Sequence, residues 1–319
     1  METILFLQNL GEWLAPLMTF FTSLGDEEFY LLMMPAIYWC FDTLMGTRLA
    51  LMLVVTTGAN SILKMAFHSP RPFWVSNKVR AFRSETSFGI PSGHSQNAVT
   101  LWGTWASSMK KRWAWVVAIF IAILIGISRL YLGMHFPVDV ITGWLVGAFL
   151  LWIFIRLEKP VGGWIKKQSI ANQVLLILGI AAVMLVLGNL MIARLAILQI
   201  PAVWIENAIQ AGSPLEPLSR DGITTATGVF LGLALGLVLI QQRGGFSPKG
   251  PVWQRILRYL VGILGTLIIW AGLKAIFPSG ESLLPQALRL LRYSLLGFWV
   301  AAGAPLTFLH LKLAESQKQ

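Results

Sequence analysis

Three short clusters of ionisable residues stand at the ends of apolar stretches. The first is Lys64 followed by Arg71-Pro72, the second is Pro91-Ser92-Gly93-His94, and the third is Ser128-Arg129 with His135 and Asp139. Charge at membrane depth is costly, so Lys64, Arg129 and Asp139 require a partner or a ligand. Three cations, two imidazoles and one carboxylate at a single membrane level suit a small, highly charged anion, and phosphate fits. Arg71 and Arg129 can each grip phosphoryl oxygens through two N–H groups, while Lys64 adds a compact positive charge. Ser92 and Gly93 open a helix, where free backbone N–H groups and the helix dipole favour an anion. Gly93 also permits close approach of the backbone.

The two histidines divide the chemistry. Asp139 follows His135 by four residues, which places both on one helix face. The carboxylate can there fix the imidazole tautomer and stabilise its cation. His135 is expected to attack phosphorus and become a phosphohistidine. His94 is expected to protonate the leaving oxygen and then act as base on the water that clears the intermediate. No group of carboxylates or cysteines offers a metal site, so neither a metal nor a cofactor is expected, and the cations neutralise the developing charge.

The elements that must position these groups are membrane helices. Of 319 residues, 56% are hydrophobic and only 12% are charged, against about a quarter charged in a soluble domain. Mean hydropathy is +0.68. These values exclude a soluble globular enzyme, a disordered chain and a coiled coil. They predict an all-α, polytopic transmembrane helical bundle. Apolar blocks fall at residues 28–45, 48–67, 94–109, 113–133, 137–156, 172–194, 222–241, 256–277 and 289–311, which gives about nine spans of roughly 16–24 residues each. Residues 4–24, interrupted by Gln8, Asn9, Glu12 and Pro16, read as an amphipathic helix in the interface. They lack the basic start and cleavage site of a signal peptide. Three regions follow: an interfacial segment (1–27), a catalytic helical core (28–160) and a four-span extension (161–319). Cys40 is the one cysteine, so no disulfide framework exists within the chain.

The net charge of +11 resides largely in short loops, which points to topology and anionic headgroups and away from nucleic acid. Arg48, Lys110-Lys111-Arg112, Arg156, Lys159, Lys166, Lys167, Arg243, Lys249, Arg255, Lys312 and Lys318 mark the cytoplasmic side. The three clusters lie on the opposite side. Lys78, Arg80 and Arg83 read as headgroup contacts or solvated charge, His68 as a loop residue and His310 as interfacial. Pro278-Ser279-Gly280 echoes the second cluster, but Glu281 stands in the histidine position, so no second active site is expected.

Lys64-x6-Arg71-Pro72, Pro91-Ser92-Gly93-His94 and Ser128-Arg129-x5-His135-x3-Asp139 resemble the three motifs of the type 2 phosphatidic acid phosphatase (PAP2) superfamily, in order and in spacing. The resemblance covers residues 28–156. It implies a metal-independent phosphatase or phosphotransferase with His135 as nucleophile, His94 as acid and base, and Lys64, Arg71 and Arg129 as phosphate ligands. The function expected is hydrolysis of a membrane lipid phosphate monoester or diphosphate, in a bacterial inner membrane with the site on the non-cytoplasmic face. The extension would shape the lipid entrance or a homodimer contact. Transfer of the phosphoryl group to an alcohol, haloperoxidase chemistry with vanadate, and lipid transport or scrambling are the alternatives.

Overall fold

The computed structural model describes residues 1–195 and 197–317, so Lys318 lies outside the described residues. Among the described residues every regular element is helical. In chain order these are α1 (Glu2–Asn9), α2 (Ala15–Ser23), α3 (Glu27–Cys40), α4 (Thr43–Phe67), α5 (Pro72–Val75), α6 (Gly93–Asn97), α7 (Gly103–Met109) and α8 (Arg112–Tyr131). They continue with α9 (Pro137–Lys166), α10 (Ile170–Arg194), α11 (Ala202–Gln210), α12 (Asp221–Gln242), α13 (Val252–Leu267), α14 (Leu273–Ile276), α15 (Leu283–Phe298) and α16 (Ala304–His310).

Six helical stretches are long and apolar enough to cross a membrane: Thr43–Val75, Arg112–Tyr131, Pro137–Lys166, Ile170–Arg194, Asp221–Gln242 and Val252–Ile276. The other three apolar blocks differ for physical reasons. The 14 residues of α3 rise only about 21 Å, short of a hydrocarbon core of about 30 Å. Residues 94–109 form α6, a π turn at Ala98–Trp102 and α7, together a short run, while α15 meets α16 through a π turn at Trp299–Gly303, as α13 meets α14 at Ile268–Gly272 within a spanning stretch. The last block also carries Arg289 and Arg292.

The chain forms two compact units, and α3, α4, α9 and α10 each contribute to both. The first comprises Met1–Phe29, Val55–Ile155 and Gly188–Ser219, and it holds all three chemical clusters. Its core gathers Phe73, Trp74, Phe88, Tyr131, Leu132 and Met134 with Ile4 from α1 and Ala208 from α11. Asn207 on α11 donates to the carbonyl of Trp74 (2.9 Å). The predicted interfacial segment therefore packs on this unit as two short helices joined by a 3-10 turn (Glu12–Leu14).

Two glycines of α9 seat the helix that begins at Gly93. A Cβ on Gly143 would stand 2.6 Å from the carbonyl oxygen of Ser92, and one on Gly147 would stand 2.8 Å from that of Gln96. Gln96 is fixed on its other side by Thr56, whose carbonyl and hydroxyl both accept from its Nε2 at 2.8 Å. Asn60 Nδ2 donates to the Pro91 carbonyl (3.2 Å) and to Gln96 Oε1 (2.9 Å). Helix α6 is thus clamped between α4 and α9 through backbone and amide groups.

The second unit comprises Tyr30–Val54, Arg156–Leu187 and Arg220–Gln319. Here α12 packs along α15 through Gly228, Gly232 and Gly236, each facing main chain or Ala301 so closely that a side chain would not fit. This is the small-residue spacing by which helices approach in membranes. Buried Arg258 is satisfied by the carbonyls of Trp39, Ser247 and Lys249.

Replacing Gly143 with Val is expected to overpack the α6–α9 contact and cost about 1–3 kcal/mol, read as a lower Tm in detergent. Gly162 on the same helix has no heavy atom within 4 Å of its would-be Cβ. Gly162→Ala is therefore expected to raise stability by roughly 0.5–1 kcal/mol, from helix propensity alone.

Candidate active site

All eight residues singled out in the sequence lie in the first unit, and helix ends position most of them. Lys64 sits in the last turn of α4, Arg71 precedes α5, Ser92 caps α6, Arg129 lies in the last turn of α8, and Asp139 lies in the first turn of α9. Arg71, Ser92, Arg129 and Asp139 are fully buried, and His135 is nearly so.

His135 and Asp139 do not share the helix face that the spacing predicts, because His135 precedes α9, which begins at Pro137. His135 meets its carboxylate across the helix start instead, with Nδ1 3.2 Å from Asp139 Oδ2. The same oxygen accepts from the backbone N–H of Phe136 at 2.9 Å, which fixes the carboxylate. The other ring nitrogen, Nε2, lies 3.2 Å from Arg71 Nη1. Burial, together with the Arg71, Arg129 and Lys64 charges, holds the His135 imidazole well below its ordinary pKa. A neutral ring that donates from Nδ1 to Asp139 leaves the Nε2 lone pair facing the arginine. That is the state a nucleophile needs.

Arg71 is the hub of the site. Its Nε donates to the Ser87 carbonyl (2.6 Å), its Nη1 to the Met134 carbonyl (3.0 Å), and its Nη2 to Glu85 Oε2 (3.2 Å) and the Phe88 carbonyl (3.3 Å). Arg129 Nη2 donates to the second oxygen of the same carboxylate, Glu85 Oε1, at 2.6 Å. Its Nη1 reaches Thr22 Oγ1 at 3.0 Å, and its buried Nε has no partner among the described residues. Lys64 Nζ donates to Ser87 Oγ at 2.7 Å. Burial alone would raise the Glu85 carboxyl, but Arg71, Arg129 and Lys64 hold it below the usual carboxylate range.

One expected donor is engaged elsewhere. The backbone N–H of Ser92 donates to the Asp139 carbonyl at 3.0 Å, which removes it from the free helix-start donors assigned to it. Its hydroxyl accepts from the backbone N–H of Ser95 (3.4 Å) in the manner of an N-cap. The backbone at Gly93 runs close beside Asn60, whose Oδ1 would stand 3.2 Å from an added Cβ. His94 turns toward Asp26 of the N-terminal segment, with Nε2 2.8 Å from Oδ1.

Thr22, Asp26, Glu85 and Ser87 stand outside the three motifs. Glu85 did carry a signal, since it is the one acid between Lys64 and His94, in a stretch with Arg71, Lys78, Arg80 and Arg83. Arg83, read as solvated or headgroup-facing, instead pairs with half-buried Asp26, while Arg80 is exposed as read and pairs with exposed Glu12. The site can hold an oxyanion between two guanidinium groups and an ammonium, beside a neutral imidazole backed by a carboxylate.

A family model described as PAP2 superfamily matches residues 45–161, and one described as PAP2 superfamily phosphatase, transmembrane extension, matches residues 224–316. The chain is 32% identical to phosphatidylglycerophosphatase B of Bacillus subtilis over 168 residues, which are 49% of this chain and 80% of that protein. It belongs to the PAP2 superfamily and is an integral membrane protein. It is also 33% identical over 127 residues to the undecaprenyl-diphosphatase of Sulfolobus acidocaldarius, covering 38% of this chain and 58% of that one. A longer likeness, 27% identity over 259 residues and 72% of both chains, joins it to glucose-6-phosphatase 3 of Bos taurus.

Glu85 holds the two guanidinium groups that an oxyanion would otherwise occupy, so it competes with any incoming dianion. Glu85→Gln is expected to lower the inhibition constant for orthovanadate by about tenfold, measured on the purified protein at fixed ionic strength.

Proposed function

We propose that this protein is a metal-independent lipid phosphatase that hydrolyses a phosphate monoester or diphosphate through a phosphohistidine at His135. The observation that carries the reading is Arg71. One guanidinium group reaches both the anion held by Arg129 and the Nε2 of His135, so a phosphoryl group bound there lies against the nucleophile. In the first step the His135 Nε2–phosphorus bond forms as the bond from phosphorus to the leaving oxygen breaks, and His94 supplies that oxygen with a proton. In the second, His94 takes a proton from water, whose oxygen bonds to phosphorus as the N–P bond breaks. Lys64, Arg71 and Arg129 offset the charge on the three equatorial oxygens throughout, while Asp139 stabilises the imidazolium.

Three further helical runs, α6–α7, α15–α16 and α3, the last of which needs help from its flanks to cross, complete nine crossings in this reading. The catalytic residues then lie opposite the basic loops, on the non-cytoplasmic side of a bacterial inner membrane. A lipid could present its headgroup to helix ends while its chains stay in the bilayer. Residues 161–319 would shape that entrance or a homodimer contact. The relatives' names cover a glycerophospholipid phosphate, a polyprenyl diphosphate and a sugar phosphate. Because the likeness to glucose-6-phosphatase 3 runs through most of the chain, a water-soluble phosphate ester is the second reading.

The test is phosphate release by the purified protein in EDTA from phosphatidic acid, phosphatidylglycerol phosphate, undecaprenyl diphosphate and glucose 6-phosphate. Release from a lipid, unaffected by EDTA and reduced roughly a thousandfold or more in His135→Ala, is the expected result. Release from glucose 6-phosphate alone selects the second reading. Phosphate transfer to an added alcohol with no net release would make the protein a phosphotransferase, and lipid binding without turnover would favour transport. Strong loss in EDTA restored by magnesium would overturn the metal-free mechanism.

The pH dependence follows from the nucleophile. Protonation inactivates His135, and its imidazole is held well below 6.5. The acid limb of kcat/KM is therefore expected below about pH 6.5, with the alkaline limb set by loss of the His94 proton. A rate that rises without an alkaline limb would count against His94 as acid.

A further inference from the structure

The N-terminal segment lies outside the matched family region of residues 45–161, yet it is built into the catalytic unit. Ile4 is fully buried in the core beside Phe73 and Tyr131. Gln8 Nε2 donates to the carbonyls of Arg80 (2.8 Å) and Tyr131 (2.9 Å), while Gln8 Oε1 accepts from the backbone N–H of Arg80 (3.2 Å). The Tyr131 hydroxyl donates to the Gly11 carbonyl at 2.8 Å. Thr22, fully buried, receives Arg129. These bonds fix the register with which the segment arrives at its last residues, Gly25 and Asp26.

Those residues face His94. A Cβ on Gly25 would stand 3.1 Å from His94 Cδ2, so the bare backbone backs the ring. Asp26 Oδ1 lies 2.8 Å from His94 Nε2. Arg83 Nη1 donates to both Asp26 oxygens at 2.8 Å. His94 and Arg83 outweigh the burial of Asp26 and hold its carboxyl below the ordinary range. An ionised carboxylate there can only accept, so the imidazole nitrogen beside it carries the proton.

We infer that Asp26 is a positioning residue for His94, forming a second imidazole–carboxylate pair that the N-terminal segment contributes to the catalytic centre. The pairing deepens the proposed phosphatase reading and rests on it for its kinetic consequence. It assigns Nε2–H to the Asp26 bond and leaves Nδ1 to hand its proton to the leaving oxygen and recover one from water. His135 uses the opposite arrangement, with Nδ1 toward its carboxylate. The site therefore holds two oriented histidines of complementary tautomer, one to attack and one to protonate. The other charged groups acting on His94 are Arg129, Glu85 and, across the site, His135.

The experiment uses the full chain, purified in detergent, as wild type, Asp26→Asn, Asp26→Glu and Arg83→Gln. Two kinds of phosphate monoester separate the role of proton donation: an alkyl phosphate, whose alkoxide needs a proton to leave, and p-nitrophenyl phosphate, whose phenolate does not. Asp26→Asn is expected to lower kcat on the alkyl ester about 10–100-fold and on the nitrophenyl ester less than about threefold. Asp26→Glu recovers part of the loss, and Arg83→Gln shifts kcat the same way by a smaller factor. Equal losses on both esters, or no loss on either, would overturn the inference. Independently of turnover, the chain has only four histidines, so imidazole 15N spectra can be assigned by substitution. The Nε2–H signature of His94 is expected in the wild type and lost in Asp26→Asn, with His68, His135 and His310 unmoved. An unchanged His94 signal would also overturn the pairing. Inactivity of the wild type on every ester would refute the phosphatase reading, while the spectra would still decide the pairing.

Discussion

The rest of the site depends on one constraint: two buried guanidinium groups and a half-buried ammonium must share a space with very little negative charge. Removing each such cation from water costs several kcal/mol unless hydrogen bonds and an anion replace the solvent. Arg71 answers with three backbone carbonyls and one oxygen of Glu85, and Arg129 with Thr22 and the other oxygen. The carboxylate stands in for the charge that a phosphate would bring. The cations remain preorganised for an oxyanion and need little rearrangement when one arrives, which is the condition for electrostatic stabilisation of a transition state.

That arrangement explains several features with no obvious chemical role of their own. The stretch from Ser84 to Phe88 must present both a carboxylate and carbonyls toward Arg71, and it is braced by Ser213, whose hydroxyl bonds Ser84 and the backbone of Glu85. The glycines at 143 and 147 exist where the main chain of α6 must lie against α9. There the helix opened by Ser92 approaches Asp139 closely enough for a backbone hydrogen bond. Gly89 serves the same end, since a Cβ there would stand 2.9 Å from Asp139 Oδ2. Small residues and helix termini do the positioning, and the charged side chains occupy the space so created.

The second unit repeats the packing logic without the chemistry. Gly228, Gly232 and Gly236 let α12 lie along α15, and this four-residue spacing was open to reading from the sequence. Pro278-Ser279-Gly280 ends there with Glu281, which pairs with Arg220. An echo of the second cluster is thus used as an ion pair at a helix connection.

The candidate site residues were legible because they are of reactive type and recur at short, fixed intervals along the chain. Asp139 stands only four residues beyond His135, across the start of α9, and in the Pro-Ser-Gly-His run Ser92 is the N-cap that opens α6. Apolar periodicity and length likewise specified helices and membrane. What the sequence could not specify was which distant groups complete the site. Asp26 lies 68 positions from His94, and Thr22 lies 107 from Arg129; Glu85 belongs to no helix. No periodicity links such pairs, because their contact depends on where the N-terminal helices and the Ser84–Phe88 stretch come to rest. The same reason separates six clearly spanning stretches from the nine apolar blocks. Hydropathy sums residues along the chain, whereas the point at which each helix stops also depends on how the segment packs against its neighbours. The sequence alone determined the candidate groups and the helical, membrane character of the chain; the tertiary structure decided which charges surround those groups, since burial and hydrogen bonding are properties of the folded arrangement and not of the order of residues.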